Sequence, residues 1–478
     1  MEKEHELGVL IESGAQDWQV YQRSPAGVAT LRLAGRWLTP QPHRQAVVRV
    51  RVVREADGEA VTRALDWARA ATRADGTWSV RLGQVPQGGL YRLETVLQLD
   101  GGPVEWGQRG DMVHHLGVGD VWIIAGQSNA EGHGKAPVLD PPALGVHLFR
   151  ACGQWALATH PLGDSTGTLY PANRLGSNPS HSPWLTFGKV LQAELGVPIG
   201  LIPASLGGSA LASWVPGAGG ILYENLRRYL ADAGGAARGV VWYQGESDTG
   251  PEQRAVYAER FRKLVAGLRR TLRNPHLPVI TTQLNRLIAE PYTSQTHGWW
   301  EEMRQIQRDL AHAIPDVFLI STLDLGLSDG IHTGALGNLA IGQRAAAAAL
   351  GGAYGRDVKY LHPDCRRAVR RSARLVELHF DGVDERLHFE NNIPEQLPFR
   401  VQDEESAVPI EGWSLSGRDR LALRLARPLA GRAVVVGAPT ACPPAIVPVD
   451  ISGHRPMLGF TQPVEQPRAA RRAAGGRP

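Results

Sequence analysis

Between residues 121 and 350 the chain alternates short, wholly apolar runs with longer segments of helical period, and each apolar run ends in a turn rich in reactive groups. The runs at 121–125, 199–203, 239–243, 278–283 and 317–321 are too short for ordinary helices. They also lack the apolar–polar alternation of half-exposed strands, so they read as parallel strands covered on both faces. The intervening segments are helical: Val256, Phe261, Leu264, Val265, Leu268 and Leu272 share one face, and Ser182-Pro183 reads as a cap with a first-turn proline. Such alternation specifies a doubly wound, three-layer α/β/α core around a parallel sheet. Ligands of open α/β sheets bind at the carboxyl edge of the strands. Ser128, Gly207-Gly208, Gln244, Asn285 and the segment from Asp329 to His332 each follow one of the five runs, which places them all on that edge.

The flanks follow a different period. Val48, Val50 and Val52 alternate with Arg49 and Arg51, and Leu93, Thr95, Leu97 and Leu99 alternate with polar neighbours, with Asp75-Gly76 marking a turn. Val376, Leu378 and Phe380 alternate before Asp381-Gly382, and 421–425 and 433–436 are strand-like. With 478 residues, more than one ordinary domain holds, the expected organisation is an N-terminal β-rich domain at 1–117, a catalytic α/β domain at 118–358 and a C-terminal β-rich domain at 359–466. Only Gly117 and Gly119 separate the first β region from the run at Val121, so its last strands are expected to feed directly into the catalytic sheet. The Arg-rich stretch at 467–478 reads as a disordered tail.

The chemistry of the turns is specific. A serine hydroxyl is a weak nucleophile until an imidazole takes its proton, and the imidazole needs an acid to hold its tautomer and stabilise its charged form. Ser128, His332 and Asp329 fit these roles, and an acid three residues before its histidine lets one short loop deliver both. The nucleophile elbow of α/β-hydrolases reads G-x-S-x-G, and here Ala130 stands in place of the second glycine.

Four ordered blocks carry a resemblance. Gly119-Asp120-Val121-Trp122 leading to Gly126-Gln127-Ser128-Asn129, then 196–202 running to Gly207-Gly208 and Trp214, then 240–247 with Gln244-Gly245-Glu246-Ser247, and finally Asp329-Gly330-Ile331-His332 with Gly337, together resemble the SGNH hydrolase superfamily. Within it the chain is similar to the sialate O-acetylesterase-like carbohydrate acetylesterases. The resemblance implies an SGNH-type core, an acyl-serine intermediate, O-acetylated sugar or glycan as substrate, and no cofactor. It also implies an oxyanion hole formed by the backbone N–H groups of Ser128 and Gly208 and by Gln244. The wider superfamily carries asparagine in its third block, so whether Gln244 or Ser247 completes the hole stays open. Asn129, Glu246 and Asn285 are candidate supporting or substrate-binding residues.

Bland readings stand beside these. Asp324 is a rival acid, and Glu246 and Asp248 read either as carboxylates that orient a histidine or as caps for the helix that begins near Pro251. His133, His181, Asn129 and Arg286 are explained equally well by surface placement. Trp184, Trp214, Trp299 and Trp300 read first as core residues with one satisfied N–H each. Cys152, Cys365 and Cys442 make neither a disulfide framework nor a metal-binding pair, and read as buried thiols. No H-E-x-x-H or paired C-x-x-C occurs, so no metal site is expected. The residue three positions after Ser128 is Glu131, not the lysine of a β-lactamase-like Ser-x-x-Lys. The formal charge of +4 is partly the Arg-rich end, and basic residues elsewhere are mixed with acids, which disfavours nucleic acid as a partner. No apolar run spans a bilayer, and the charged start Met1-Glu2-Lys3-Glu4 leads into no secretory core, making cytoplasmic residence the expectation unless a leader has been removed. Two rival functions remain: a short-chain esterase, lipase or thioesterase on the same machinery, and a catalytically silent carbohydrate-binding protein.

Overall fold

The computed structural model describes residues 7–174, 179–288 and 294–466, and the Arg-rich stretch at 467–478 lies outside them. The fold is mixed α/β. The chain divides into two compact units, Met1–Trp242 with Lys263–Val279, and Tyr243–Arg262 with Ile280–Pro478.

The first unit is organised by one 19-residue strand, Gln108–Gly126. Its first half pairs antiparallel with Gly88–Leu99, which pairs in turn with Ala46–Arg54. Its second half pairs in parallel with Ile199–Pro203, matching Asp120 to Ile199 and Ile124 to Pro203. Burial changes with the partner. Up to His115 exposed and half-buried residues predominate, and from Leu116 onward every residue is buried, as a strand must be when it passes from a sheet with one wet face into one covered on both. The expected direct feed into the parallel sheet is therefore a single continuous strand, and position 117 falls inside it. The strands run Trp155–Leu157, Val146–Phe149, Ile199–Pro203, Gln108–Gly126, Gly239–Tyr243 in spatial order. A separate four-stranded sheet, built on Val28–Leu38 and Thr77–Pro86, closes a core around Trp78, Leu31, Leu33, Val50 and Leu93.

The strand Val279–Thr282, whose residues from Ile280 onward belong to the second unit, lies beside Val317–Ile320, and the Gln283 N–H continues the pairing to the Ile320 carbonyl at 2.9 Å. The helices Ser294–Ala313 and Ala335–Ala348 accompany them. Residues from Asp364 to Glu465 supply an eight-stranded sheet with Asp364–Ser372 and Leu375–Asp381 near its middle, over a core that includes Leu378, Phe380, Phe399, Leu423 and Phe460.

Two sequence expectations need correction, and two strands are added to those expected. Ser182 does not cap the helix Trp184–Leu195: Pro183 occupies the cap position with helical dihedrals, and the buried Ser182 hydroxyl has no hydrogen-bond partner among the described residues. Only Cys365 is a buried thiol, since Cys152 is exposed and Cys442 half-buried. The strands Val146–Phe149 and Trp155–Leu157 carry no sequence signal of their own, because runs of four and three residues are below the length at which periodicity is informative.

Candidate active site

In the first unit, Ser128 is the one half-exposed position in a run buried from 121 to 132. It opens a single helical turn, Ser128–Glu131, at the carboxyl end of the long strand, so its own N–H has no acceptor within the helix. The turn is closed from behind by Trp184, whose indole N–H donates to the Ala130 carbonyl at 2.7 Å. The second block lies directly alongside. The N–H groups of Ala204 and Leu206 donate to the carbonyls of Ile124 and Gly126 at 2.8 and 3.0 Å. A Cβ on Gly207 would sit 3.6 Å from Ser128 Cβ and 3.0 Å from Glu131 Oε2. Gly208 has φ +67°, a backbone that favours glycine, and nothing lies within 4 Å of the position a Cβ would take. The structure thus brings Ser128, Asn129 and the Gly207-Gly208 turn together.

Several neighbours depart from the surface reading. Asn129 is buried in the Ser128–Glu131 turn. His133 is half-buried, with Nε2 3.0 Å from Glu131 Oε2, and His181 is buried against Asp140 at 3.2 Å. Trp184 and Trp214 are core residues, the latter donating to Ser209 Oγ at 3.0 Å and meeting Trp242 edge to face. Glu131 enters the sequence reading only as the absence of a lysine. Its position one helical turn past the serine is the available signal for a buried carboxylate beside the Gly207 turn.

In the second unit, the 328–332 loop is closed by the Ser328 N–H on the His332 carbonyl at 2.8 Å and by a bridge between Leu327 and Thr333. Asp329 is the hub of this loop. Its Oδ1 accepts the N–H groups of Ile331 and His332 at 3.0 and 2.8 Å, and His332 Nδ1 lies 3.1 and 2.9 Å from its two oxygens. Burial alone would raise the Asp329 carboxyl, but the hydrogen bonds from His332 and Ile331 hold it well below the usual carboxylate range. An ionised acid is an acceptor only, so His332 Nδ1 carries the proton, and in the neutral imidazole Nε2 keeps its lone pair. The rival acid Asp324 is engaged elsewhere, taking both terminal nitrogens of Arg344 at 2.8 and 2.6 Å.

The third block is held from two sides. Gly245 has φ +143°, and a Cβ there would meet Gln307 Nε2 at 2.8 Å, which is why a glycine follows Gln244. The fully buried Gln244 donates its side-chain amide to Asp248 Oδ2, and its carbonyl accepts from Gln307 Nε2 at 3.1 Å. Asp248 therefore anchors Gln244, a role the sequence left between histidine orientation and helix capping. Glu246 is buried within the single turn Glu246–Asp248. Asn285 is buried and donates to Thr333 Oγ1 at 3.1 Å, tying the turn after Val279–Thr282 to the residue that follows His332. Arg304, buried and lowered to about 10 by burial, donates to the carbonyls of Leu284 and Asn285 on one side and of Ala438, Thr440 and Ala441 on the other. Thr333, Gln307 and Arg304 escape sequence reasoning because each acts across many residues of sequence without a local pattern. Arg286 is half-buried, Trp299 half-buried and Trp300 buried.

Residues 118–351 match the family profile described as carbohydrate esterase, sialic acid-specific acetylesterase. A carbohydrate acetylesterase from Xanthomonas citri has the same fold over 95% of this chain and 99% of its own, with a TM-score of 0.64 and 23% identity. A probable carbohydrate esterase of Arabidopsis thaliana is 25% identical over 258 residues, covering 49% of this chain and 92% of that protein. Over residues 118–351, just under half of its length, the chain is thus similar to the sialate O-acetylesterase-like carbohydrate esterases.

Proposed function

We propose that the protein is a serine esterase that removes O-acetyl groups from carbohydrate through an acyl-serine intermediate, on a three-layer α/β/α core flanked by β domains. Ser128 attacks the ester carbonyl. His332 Nε2 takes the serine proton and returns it to the departing sugar oxygen, while Asp329 holds the tautomer and stabilises the imidazolium. The tetrahedral oxyanion is met by the N–H groups of Ser128 and Gly208 and by the amide of Gln244. Water then attacks the acyl-serine by the same base, and acetate leaves. Asn285 acts through Thr333 on the His332 loop, and Glu246 and Asn129 support the block residues beside them.

The observation that carries the reading is the ionised Asp329 bound to His332 Nδ1, which leaves Nε2 as the acceptor a general base requires. The carbohydrate part rests on the family profile over 118–351 and on the two named relatives. The test is acetate release from acetylated sialic acids, acetylated xylo-oligosaccharides and acetylated monosaccharides, beside esters of longer acyl chains. Acetyl sugars are expected as the preferred substrates. Faster cleavage of long acyl chains would replace the reading with a general esterase or lipase, and absence of turnover with any ester would replace it with a silent binding protein.

A further inference from the structure

The first unit holds a second cluster of side chains that the esterase chemistry does not use. Asp140, His160 and His181 stand 20 and 21 residues apart in sequence, on three separate loops. Both imidazoles aim Nε2 at one carboxylate oxygen, His160 at 3.0 Å and His181 at 3.2 Å from Asp140 Oδ2. The rings lie 4.2 Å apart between centroids with a 32° tilt, and one donor atom from each of the three residues falls within 4.8 Å of the others. Zinc bound at about 2.0–2.1 Å in a tetrahedron separates its ligand atoms by about 3.3 Å, so the two N···O distances are those of a coordination edge.

The surroundings are those of a ligand set. Lys189 Nζ takes the other oxygen of Asp140 at 2.8 Å and so holds the carboxylate in place from behind, as outer partners of metal ligands do. A cavity of about 600 Å³ reaches Asp140, His160 and His181 between Lys135–Val138 and Pro161, giving an entry path and room for solvent at the remaining coordination positions.

We propose that Asp140, His160 and His181 form a binding site for a divalent transition-metal ion of the zinc type, with an N₂O protein donor set and its open positions facing this cavity. Two imidazoles select such an ion over magnesium or calcium, which take oxygen ligands. Binding moves each imidazole proton from Nε2 to Nδ1. In His160 that nitrogen accepts the Ser182 N–H at 3.3 Å, so the ion displaces this bond, and its affinity falls below that of a closed structural zinc site. The displaced segment is linked to the nucleophile turn: Gly134 and His181 exchange backbone hydrogen bonds at 3.1 and 3.2 Å, and the Ser180 N–H donates to the Gly132 carbonyl at 2.8 Å. A metal at this position therefore braces the 132–134 segment that follows Ser128–Glu131.

The test is calorimetric titration of zinc into the whole, untagged chain after chelator treatment, alongside Asp140→Asn and His160→Gln. One equivalent is expected in the wild type, with affinity weakened about a hundredfold or more in both variants. Cobalt in place of zinc is expected to give visible ligand-field absorption in the wild type and none in His160→Gln. Circular dichroism reports folding. Should Asp140→Asn, which also strips Lys189 of its partner, fail to fold, His160→Gln decides alone. Absence of stoichiometric zinc in the wild type, or zinc bound equally tightly by folded His160→Gln, overturns the proposal.

Discussion

Replacing Asp329 by asparagine separates the two tasks of this residue. The carbonyl oxygen of the new amide still accepts the backbone N–H groups of Ile331 and His332, now at 3.0 and 2.8 Å from Asp329 Oδ1, so the loop keeps its internal bracing. The other oxygen, 2.9 Å from His332 Nδ1, becomes an NH₂ group. A donor there forces Nδ1 to accept, and the proton moves to Nε2, which removes the lone pair that the proposed general base needs. The wrong tautomer in a serine triad costs about 10⁴ in kcat, or about 5.4 kcal/mol of barrier. The effect on stability is small, because the Asp329 side chain is 29% exposed and the charge it loses is partly screened by solvent. The assay is acetate release under saturating substrate, with thermal unfolding as the control. A fall of about 10⁴ in kcat with little change in unfolding temperature supports the tautomer argument. A kcat within about tenfold of the wild type refutes it, and Asp329 is then only the hub of a turn.

The other expectations are simpler. Ser128→Ala removes the proposed attacking oxygen from a half-exposed site with little change in volume, so kcat should fall about a thousandfold or more with the fold intact, and a fluorophosphonate probe should cease to label the protein; labelling of another serine with normal turnover would reassign the nucleophile. Gln244→Ala should lower kcat by about a hundredfold with little change in KM, since an oxyanion donor strengthens only as charge develops, whereas near-normal kcat points to Ser247 or a backbone amide. The buried His147 is lowered to about 4 by burial, partly offset by its bond to the Trp18 carbonyl, and burial likewise lowers His362 to about 3. Both folded values lie below the unfolded one, so the unfolded chain binds more protons and stability is lost as pH falls below about 6.5 toward 4 and 3. Between about pH 7 and 5 each histidine should cost about 2 kcal/mol, seen as a lower urea midpoint that His362→Gln partly restores; a midpoint unchanged over that range contradicts the shifts.

What is legible in the sequence follows the range over which each signal acts. The runs at 199–203 and 239–243 appear as strands with those bounds, and 278–283 and 317–321 appear one or two residues shorter, because continuous apolar runs bounded by turns need no distant information. The passage from the N-terminal sheet into the parallel sheet is also readable, since only Gly117 and Gly119 separate the first β region from the apolar run at Val121, and the structure makes them one strand, Gln108–Gly126. The short strands Val146–Phe149 and Trp155–Leu157 are not, because they are specified by their partners: His147 is buried there with its Nδ1 on the Trp18 carbonyl, 129 residues away, at 2.6 Å.

The same rule sorts the site residues. Asp329 and His332 are three positions apart, so one turn sets their geometry and the motif alone announces it. Asp248 and Gln244 are four apart, and the motif shows the residues but not their bond, since a carboxylate after a strand serves a cap or an amide equally well. Asp140, His160 and His181 have no short-range pattern at all. Their convergence depends on the ladder between Gly134 and His181 and on Lys189 in the helix that follows, so a search for closely spaced ligands passes over them. A metal site assembled from separate loops costs more chain entropy to form than one on a single turn. The cluster forms without an ion because Lys189, Thr186 and the two imidazoles already satisfy Asp140, at 2.8 and 3.3 Å for the first two. A site held open in this way binds its ion without having to fold around it, and chelation should therefore leave the rest of the chain folded.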